Sequence, residues 1–370
     1  MIPVNTPLLA GNEKKYLAEC IETGWISSEG PFVEKFETSF ASLVDREHAI
    51  AVSNGSAALD AAVVALEIGP GDEVILPSFT IISCAAAIVR AGAVPVVVDS
   101  DPLTWNMTAD TIEAAITPRT KAVMVVHIYG HPCDMDPIMA LASAHGLYVI
   151  EDAAEMHGQT YRGRPCGSFG DISTFSFYPN KHITTGEGGM LATNDAVLAE
   201  RCRGARNLFF NNQQRFVHHE LGWNMRMTNM QAALGLAQIE QIDGFVKRKR
   251  DMGRRYTELL SNTPGLELPL AETDYSKNIY WVYGIVLADD MSSPREVMAA
   301  LGDRKIGTRP FFWPMHEQPV LLKMGLFDGV RCPVAERLAR RGFYIPSGLA
   351  LTDVEIEQVA DALRDIMRVV

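Results

Sequence analysis

From about residue 48 to 195, short apolar runs alternate with helix-sized segments. The runs are Ala49–Val52, Glu73–Leu76, Val94–Asp99, Ala122–His127, Leu147–Glu151, Ser173–Phe177 and Met190–Thr193. Several are nearly continuous in Val and Ile, which is the pattern of strands covered on both faces. Between them, helical segments are predicted at Ser56–Leu66, Ile81–Ala91, Ala109–Ile116 and Asp136–His145. This order predicts an α/β fold with a mostly parallel, seven-stranded sheet flanked by helices. Such sheets bind ligands at the carboxyl ends of their strands, so the residues just after each run are the places to search.

Beyond Asn229 the pattern changes to longer helices. Thr228 and Gln231 form a capping-box pattern that opens a helix over about Asn229–Ile242. A second helix follows over Lys247–Leu260, broken by Asn262-Thr-Pro-Gly265. Strands at Tyr280–Leu287 and Gly307–Phe312 alternate with helices at Pro294–Leu301 and Asp353–Met367. The expected organisation is therefore a large domain over residues 1–245 and a smaller α+β domain over residues 246–370.

Composition narrows the function classes. The 370 residues are 47% hydrophobic, enough for a large core, and carry a net charge of −12. That charge disfavours a nucleic-acid partner, which needs clustered Lys and Arg. The one dense basic run, Lys247-Arg-Lys-Arg250, reads as the solvated face of a helix. The six cysteines form no C-x-x-C pair, which points to a reduced, cytoplasmic setting and to neither a zinc site nor a disulfide framework. No signal peptide and no bilayer-spanning apolar run are read.

Three strand ends carry candidate chemistry. Ser53-Asn-Gly-Ser-Ala-Ala58 follows the first strand and opens a helix, so the N–H groups of Ser56 and Ala57 could face an anion. The same residues also suit an ordinary turn capped by Asn54 or Ser56. Asp152, in Glu151-Asp-Ala-Ala-Glu155, ends an apolar strand, where a carboxylate can hold a ring nitrogen protonated. A helix-capping aspartate is the alternative, and Glu155 suits a first-turn helix charge equally well. Lys181 follows strand Ser173–Phe177 and precedes Thr184-Thr-Gly-Glu-Gly-Gly189. A Schiff-base lysine needs a partly dry pocket and room to swing, and Ser176 could donate a hydroxyl into it. An isolated lysine beside a glycine turn would be a solvated charge. Together, in this order, the three suit a pyridoxal-phosphate site. No G-x-G-x-x-G opens a βαβ unit and no G-x-x-x-x-G-K-[ST] occurs, so nicotinamide and P-loop chemistries are disfavoured. His127, in HIYG, suits a satisfied core histidine or a substrate contact. His218 and His219 lack a further ligand at metal spacing, so no metal site is read.

Across nearly its whole length the chain resembles the DegT/StrS family of fold type I, pyridoxal-phosphate sugar aminotransferases. The stretches that carry the likeness include GWISSEGPFVEKFE, SNGSAAL, GPGDEVILPSFT, VIEDAAE, FSFYPNKHITTGEGGM and GWNMRMTNMQAALGLAQIE. Within the family it is most similar to the perosamine-forming branch, through WISS, HIYG, NMRMTN and RPFFWPMH. The resemblance implies that Lys181 forms the Schiff base and carries the proton, and that Asp152 pairs with the pyridine nitrogen. Ser56, Ala57 and Ser176 would hold the phosphate, and Glu155 would lie near the phenolic oxygen. Asn224 would reach the phosphate across a homodimer interface, with Arg226 nearby. His316 would approach the sugar from the partner subunit, with Trp25, Ser28 and Trp313 in the same pocket.

The implied reaction takes an amino group from L-glutamate and gives it to a keto sugar nucleotide, GDP-4-keto-6-deoxy-D-mannose being the expected one. The implied setting is cytoplasmic O-antigen and lipopolysaccharide biosynthesis. Alternatives are another nucleotide-linked ketosugar, a small phosphorylated ketone, or a non-catalytic cofactor-binding regulator. Three places depart from the family pattern: Ile81 stands where an aromatic ring usually covers the cofactor, residues 207–220 differ, and Trp313 replaces a smaller aromatic or His. The related dehydratase branch has histidine in place of the lysine; here Lys181 is present and His182 is only its neighbour.

Overall fold

The structure, a computed structural model, describes residues 1–210 and 214–368. The seven expected runs form one sheet: β1 His48–Val52, β2 Glu73–Pro77, β3 Val94–Val98, β4 Thr120–Val126, β5 Tyr148–Asp152, β8 Ile172–Ser176 and β9 Gly189–Thr193. A small hairpin, β6 Thr160–Tyr161 with β7 Arg164–Pro165, lies between β5 and β8. The sheet order is β1-β9-β8-β5-β4-β2-β3. Strands β3, β2, β4, β5 and β8 pair in parallel, while β9 runs antiparallel to both of its neighbours. The carboxyl ends of β1, β8, β5, β4 and β2 therefore share one edge.

Both faces of the sheet are buried, as the unbroken apolar runs predict. Along β2, Val74 and Leu76 join one core and Ile75 the other. Along β4, Ala122, Met124 and Val126 alternate in the same way with Val123 and Val125. Helices Glu13–Thr23, Pro31–Leu43 and Ala196–Arg206, which hydrophobic spacing did not mark out, complete the covering layers. Three phenylalanines of Pro31–Leu43 (Phe32, Phe36 and Phe40) carry its buried face.

The expected helix Asn229–Ile242 is two helices. The Thr228 capping box is present, but the helix ends at Ile239, and Ile242–Leu260 starts a new one. The expected division near residue 245 falls inside that second helix. It packs with Asp353–Met367 against a four-stranded antiparallel sheet ordered β10 Leu266–Glu267, β11 Tyr283–Leu287, β13 Gly342–Ile345 and β12 Arg309–Pro310. Ile2, from the start of the chain, joins this third core and bridges to Ile306.

The basic run corrects one expectation. Lys249 is 1% exposed and is not part of a solvated face. Its Nζ donates to the Trp281 carbonyl at 2.9 Å and to the Ser347 carbonyl. No carboxylate pairs with it among the described residues, and burial lowers its basicity to about 7.

Candidate active site

A cavity of 620 Å³ opens at the carboxyl edge of the sheet and collects residues from the ends of β1, β2, β4, β5 and β8. Its floor starts at the turn after β1. Asn54 is extended and caps helix Gly55–Ala65, its Oδ1 accepting from Ala57 N at 2.8 Å. A Cβ at residue 55 would lie 2.8 Å from Ser176 Cβ, so only glycine lets this turn touch the end of β8. Ser56 Oγ lies 2.8 Å from Ser83 Oγ, and Ser56, Ser83 and Ser176 all line the cavity. Ala57, expected beside Ser56, does not: its N–H is taken by the cap and its side chain is buried beneath the turn.

Asp152 ends β5 and is buried. One oxygen accepts from Ala154 N at 3.1 Å, the other from Cys84 Sγ at 3.3 Å. Burial raises its carboxyl above the usual aspartate range, while these donors and the Lys181 ammonium pull it back. Glu155 is fixed by Tyr129 N, which donates to Oε2 at 2.6 Å. Its other oxygen lies 3.7 Å from Lys181 Nζ. Burial pushes the Glu155 carboxyl up to about 7, with Lys181 opposing.

Lys181 projects into the cavity from the turn after β8, with its N–H bonded to Tyr178 O at 2.9 Å. Burial lowers its ε-ammonium below the ordinary lysine value, and Glu155 and Asp152 work against that shift. The Nζ also sits 3.9 Å from the centre of the Trp281 ring. The cation–π attraction there, about 0.5–2 kcal/mol, favours the charged form as the carboxylates do.

Sequence reasoning missed the wall opposite the sheet. Trp281, Phe312 and Tyr344 come from segments at or beside the antiparallel sheet and line the cavity together with Lys181. Trp281 Nε1 donates to Asn180 O at 2.9 Å. Gly130, with φ +102°, lets this wall close in, since a Cβ there would come within 2.6 Å of the Tyr280 and Trp281 nitrogens. The Asn278-Ile-Tyr-Trp281 stretch carries no local mark of this role. Thr80 and Ser83 could have been found, because they lie just past the end of β2. Ile81, half exposed beside them, lines the cavity with an aliphatic side chain.

The expected sugar-side residues are not gathered in this cavity within one chain. Ser28 lines a second cavity of 470 Å³ with Arg206, Arg215 and Arg226. Arg226 donates to Asn207 Oδ1 at 2.6 Å, and Asn224 is exposed, bridging to Asn207. Trp25 and Trp313 are exposed, Trp313 lying 5.3 Å from the Arg340 guanidinium. His316 is buried, with its ring nitrogens 2.7 Å from Ser78 Oγ and 3.2 Å from Glu336 Oε1. Of residues 207–220, Asn211, Asn212 and Gln213 lie outside the described residues. His127 lines the cavity with its ring buried and partnered: Nε2 faces Glu151 Oε1 at 3.1 Å and Nδ1 accepts from Cys133 N at 3.1 Å.

A lysine, two buried carboxylates and a helix N-terminus at the carboxyl edge of such a sheet suit a pyridoxal-phosphate enzyme. Residues 7–364 match the DegT/DnrJ/EryC1/StrS aminotransferase family, and the chain belongs to that family. It is 44% identical to the GDP-perosamine synthase of Caulobacter vibrioides, over 99% of this chain and 98% of that one. It is 43% identical to the GDP-perosamine synthase of Escherichia coli O157:H7, over 98% of each chain. The crystal structure of the aminotransferase TlmJ from Streptoalloteichus hindustanus superposes with a TM-score of 0.93 at 32% identity, covering 100% of this chain and 99% of that one. The protein is thus a pyridoxal-phosphate-dependent aminotransferase.

The residues present fit that cofactor. A phosphate suits the helix N-terminus and the three serine hydroxyls, and a protonated ring nitrogen suits Asp152. Thr174 Oγ1 and Asn180 Oδ1 are buried in cavity-lining residues and have no partner among the described residues. Both can serve polar groups of a bound molecule.

Proposed function

We propose that this enzyme moves the amino group of L-glutamate to the keto carbon of a sugar nucleotide, GDP-4-keto-6-deoxy-D-mannose, giving GDP-perosamine. The observation that carries the reading is Lys181 Nζ in the cavity within 3.7 Å of Glu155 and 3.9 Å of Trp281. The full-length likeness to two GDP-perosamine synthases supports the choice of sugar.

When bound, pyridoxal phosphate supplies the electron sink that makes the donor's Cα–H acidic. The chain's own residues do the rest. Ser56, Ser83, Ser176 and the helix N-terminus would hold the phosphate. Asp152 would keep the ring nitrogen protonated, and Ile81 would offer an aliphatic contact without π stacking. Lys181, its ammonium destabilised by burial, is the base that carries the proton. Glu155, with its carboxyl near 7, can take or return a proton at Lys181 Nζ. The small unit, taken as residues 246–370, contributes Trp281, which keeps water from Lys181.

In this reading two chains form a cytoplasmic homodimer with shared sites, and the product serves O-antigen and lipopolysaccharide biosynthesis. Asn224 reaches the neighbour's phosphate, and Trp25, Ser28, Trp313 and His316 belong to the sugar side. The exposure of Asn224, Trp25 and Trp313 supports this, because each is free to meet a second chain.

The test is glutamate-dependent amination of a panel of keto sugar nucleotides. The GDP-linked 4-keto-6-deoxymannose should be the best acceptor by kcat/KM. A better rate with a dTDP- or UDP-linked sugar, or with a small phosphorylated ketone, would overturn the choice of substrate.

A further inference from the structure

Asp152 must stay ionised to hold a ring nitrogen protonated, yet it is buried and its carboxyl is raised. A second residue acts on it. Cys84 lies in the first turn of helix Ile82–Arg90 and is 0% exposed. Its Sγ is 3.3 Å from Asp152 Oδ2 and 3.5 Å from Thr80 Oγ1. An ionised carboxylate only accepts, so the thiol must be the donor toward Oδ2. With that proton committed, the sulfur is left as acceptor for the Thr80 hydroxyl, which is also buried. The contacts form a chain from Thr80 O–H to Cys84 S–H to the carboxylate.

We propose that Cys84 is a positioning residue for the cofactor's ring-nitrogen partner: its S–H fixes the orientation of the Asp152 carboxylate and holds it ionised. This rests on the reading of Asp152 as that partner. The thiol suits the task in two ways. Burial and the neighbouring carboxylates push its own ionisation far above the usual cysteine range, so it remains a donor at every working pH. It is also a weak donor, so the carboxylate keeps enough basicity to accept from a ring nitrogen. The other charged or titratable groups acting on Asp152 are Lys181, Glu155 and His127. None of these is a hydrogen-bond partner of Asp152. The remaining contact, Ala154 N–H, is a backbone donor to the other oxygen.

The experiment uses the full chain without cofactor, as wild type, Cys84→Ser and Cys84→Ala. Carboxyl carbon NMR, assigned with Asp152→Asn, follows the titration of Asp152. Infrared difference spectra against Cys84→Ser isolate the Cys84 S–H stretch. Removing the donor in Cys84→Ala should raise the Asp152 pKa by about 0.5–1 unit, the span of one modest hydrogen bond. Cys84→Ser, which keeps a donor, should return it to the wild-type value or lower. The S–H stretch should lie at the frequency of a hydrogen-bonded thiol. An unchanged Asp152 titration in Cys84→Ala, or a free S–H stretch, overturns the proposal. A purely structural role for Cys84 would not produce the serine rescue. Because no cofactor is present, a missing shift counts against the Cys84 contact. Failure of the wild type to bind pyridoxal phosphate counts against the reading of the site itself.

Discussion

Lys181 and Lys249 are both buried lysines of lowered basicity, yet their surroundings assign them opposite work. Lys181 faces a cavity and two carboxylates, and the nearest carboxylate oxygen, Glu155 Oε1, is 3.7 Å from its amine. The amine of Lys249 is instead held by the carbonyls of Trp281 and Ser347. Burial alone therefore does not mark a reactive lysine. A depressed ammonium becomes chemistry only where its lone pair has somewhere to go. Lys249 instead pins the backbone of the residue whose ring lies over Lys181, so in the proposed reaction the structural lysine supports the reactive one.

The largest contrast is in turnover. Lys181→Ala should lower kcat on the order of a thousandfold or more, the scale of a lost proton-transfer group. Lys249→Met should keep measurable turnover, because it removes nothing that touches substrate or cofactor. Equal losses in steady-state assays would erase the distinction.

Stability should separate the pair in the other direction. Lys249→Met leaves two buried carbonyls without a donor, which costs about 1–3 kcal/mol each before any relaxation. The pH dependence has a definite sign. A lysine lowered to about 7 when folded, against 10.5 ordinarily, binds fewer protons in the native state than in the unfolded chain between those values. Native stability contributed by Lys249 therefore rises with pH across that window. Denaturant unfolding should show wild type gaining on Lys249→Met from about pH 7 to pH 10; a parallel pair of curves would mean that burial does not depress the Lys249 ammonium.

Glu155 gives the mirror case on the Lys181 side. Its folded carboxyl, raised to about 7 from 4.5, binds more protons in the native state between those values. Wild-type stability should fall relative to Glu155→Gln as pH rises from 4.5 to about 7. A rising difference over that interval would place a compensating cation closer to Glu155 than Lys181 is.

The smallest effect concerns Ile81. An aromatic ring there would add stacking worth about 0.5–1.5 kcal/mol. Ile81→Phe should tighten pyridoxal-phosphate binding by a few-fold in equilibrium titration. A weaker Kd would show that the aliphatic side chain is required by its neighbours.

The strands and the carboxyl-edge site were legible in the sequence because both rest on local signals. A run such as Ala122–Val126 in β4 is buried on both faces, and Asp152, Ser176 and Lys181 stand at a strand end or within a few residues of one. What stayed hidden depends on contacts between distant segments. Lys249 sits among charged neighbours on a helix, and only the packing of the Trp281 and Ser347 segments buries it. Trp281 reads as the start of a strand, and its place over Lys181 follows from Gly130 and from Lys249 itself. The turn at Ala57 allowed either an N–H facing an anion or one taken by a cap, and the side chain of Asn54 curls back to claim it. The helix break after Ile239 has no proline or glycine to announce it.

Reductive trapping tests the assignment of the two lysines most directly. The purified protein is incubated with pyridoxal phosphate, reduced with borohydride, digested and mapped by mass spectrometry. One cofactor per chain should appear on the peptide containing Lys181, with none on the peptide containing Lys249. Label on any other lysine, or no label at all, would contradict the assignment of Lys181 as the residue through which amino groups pass.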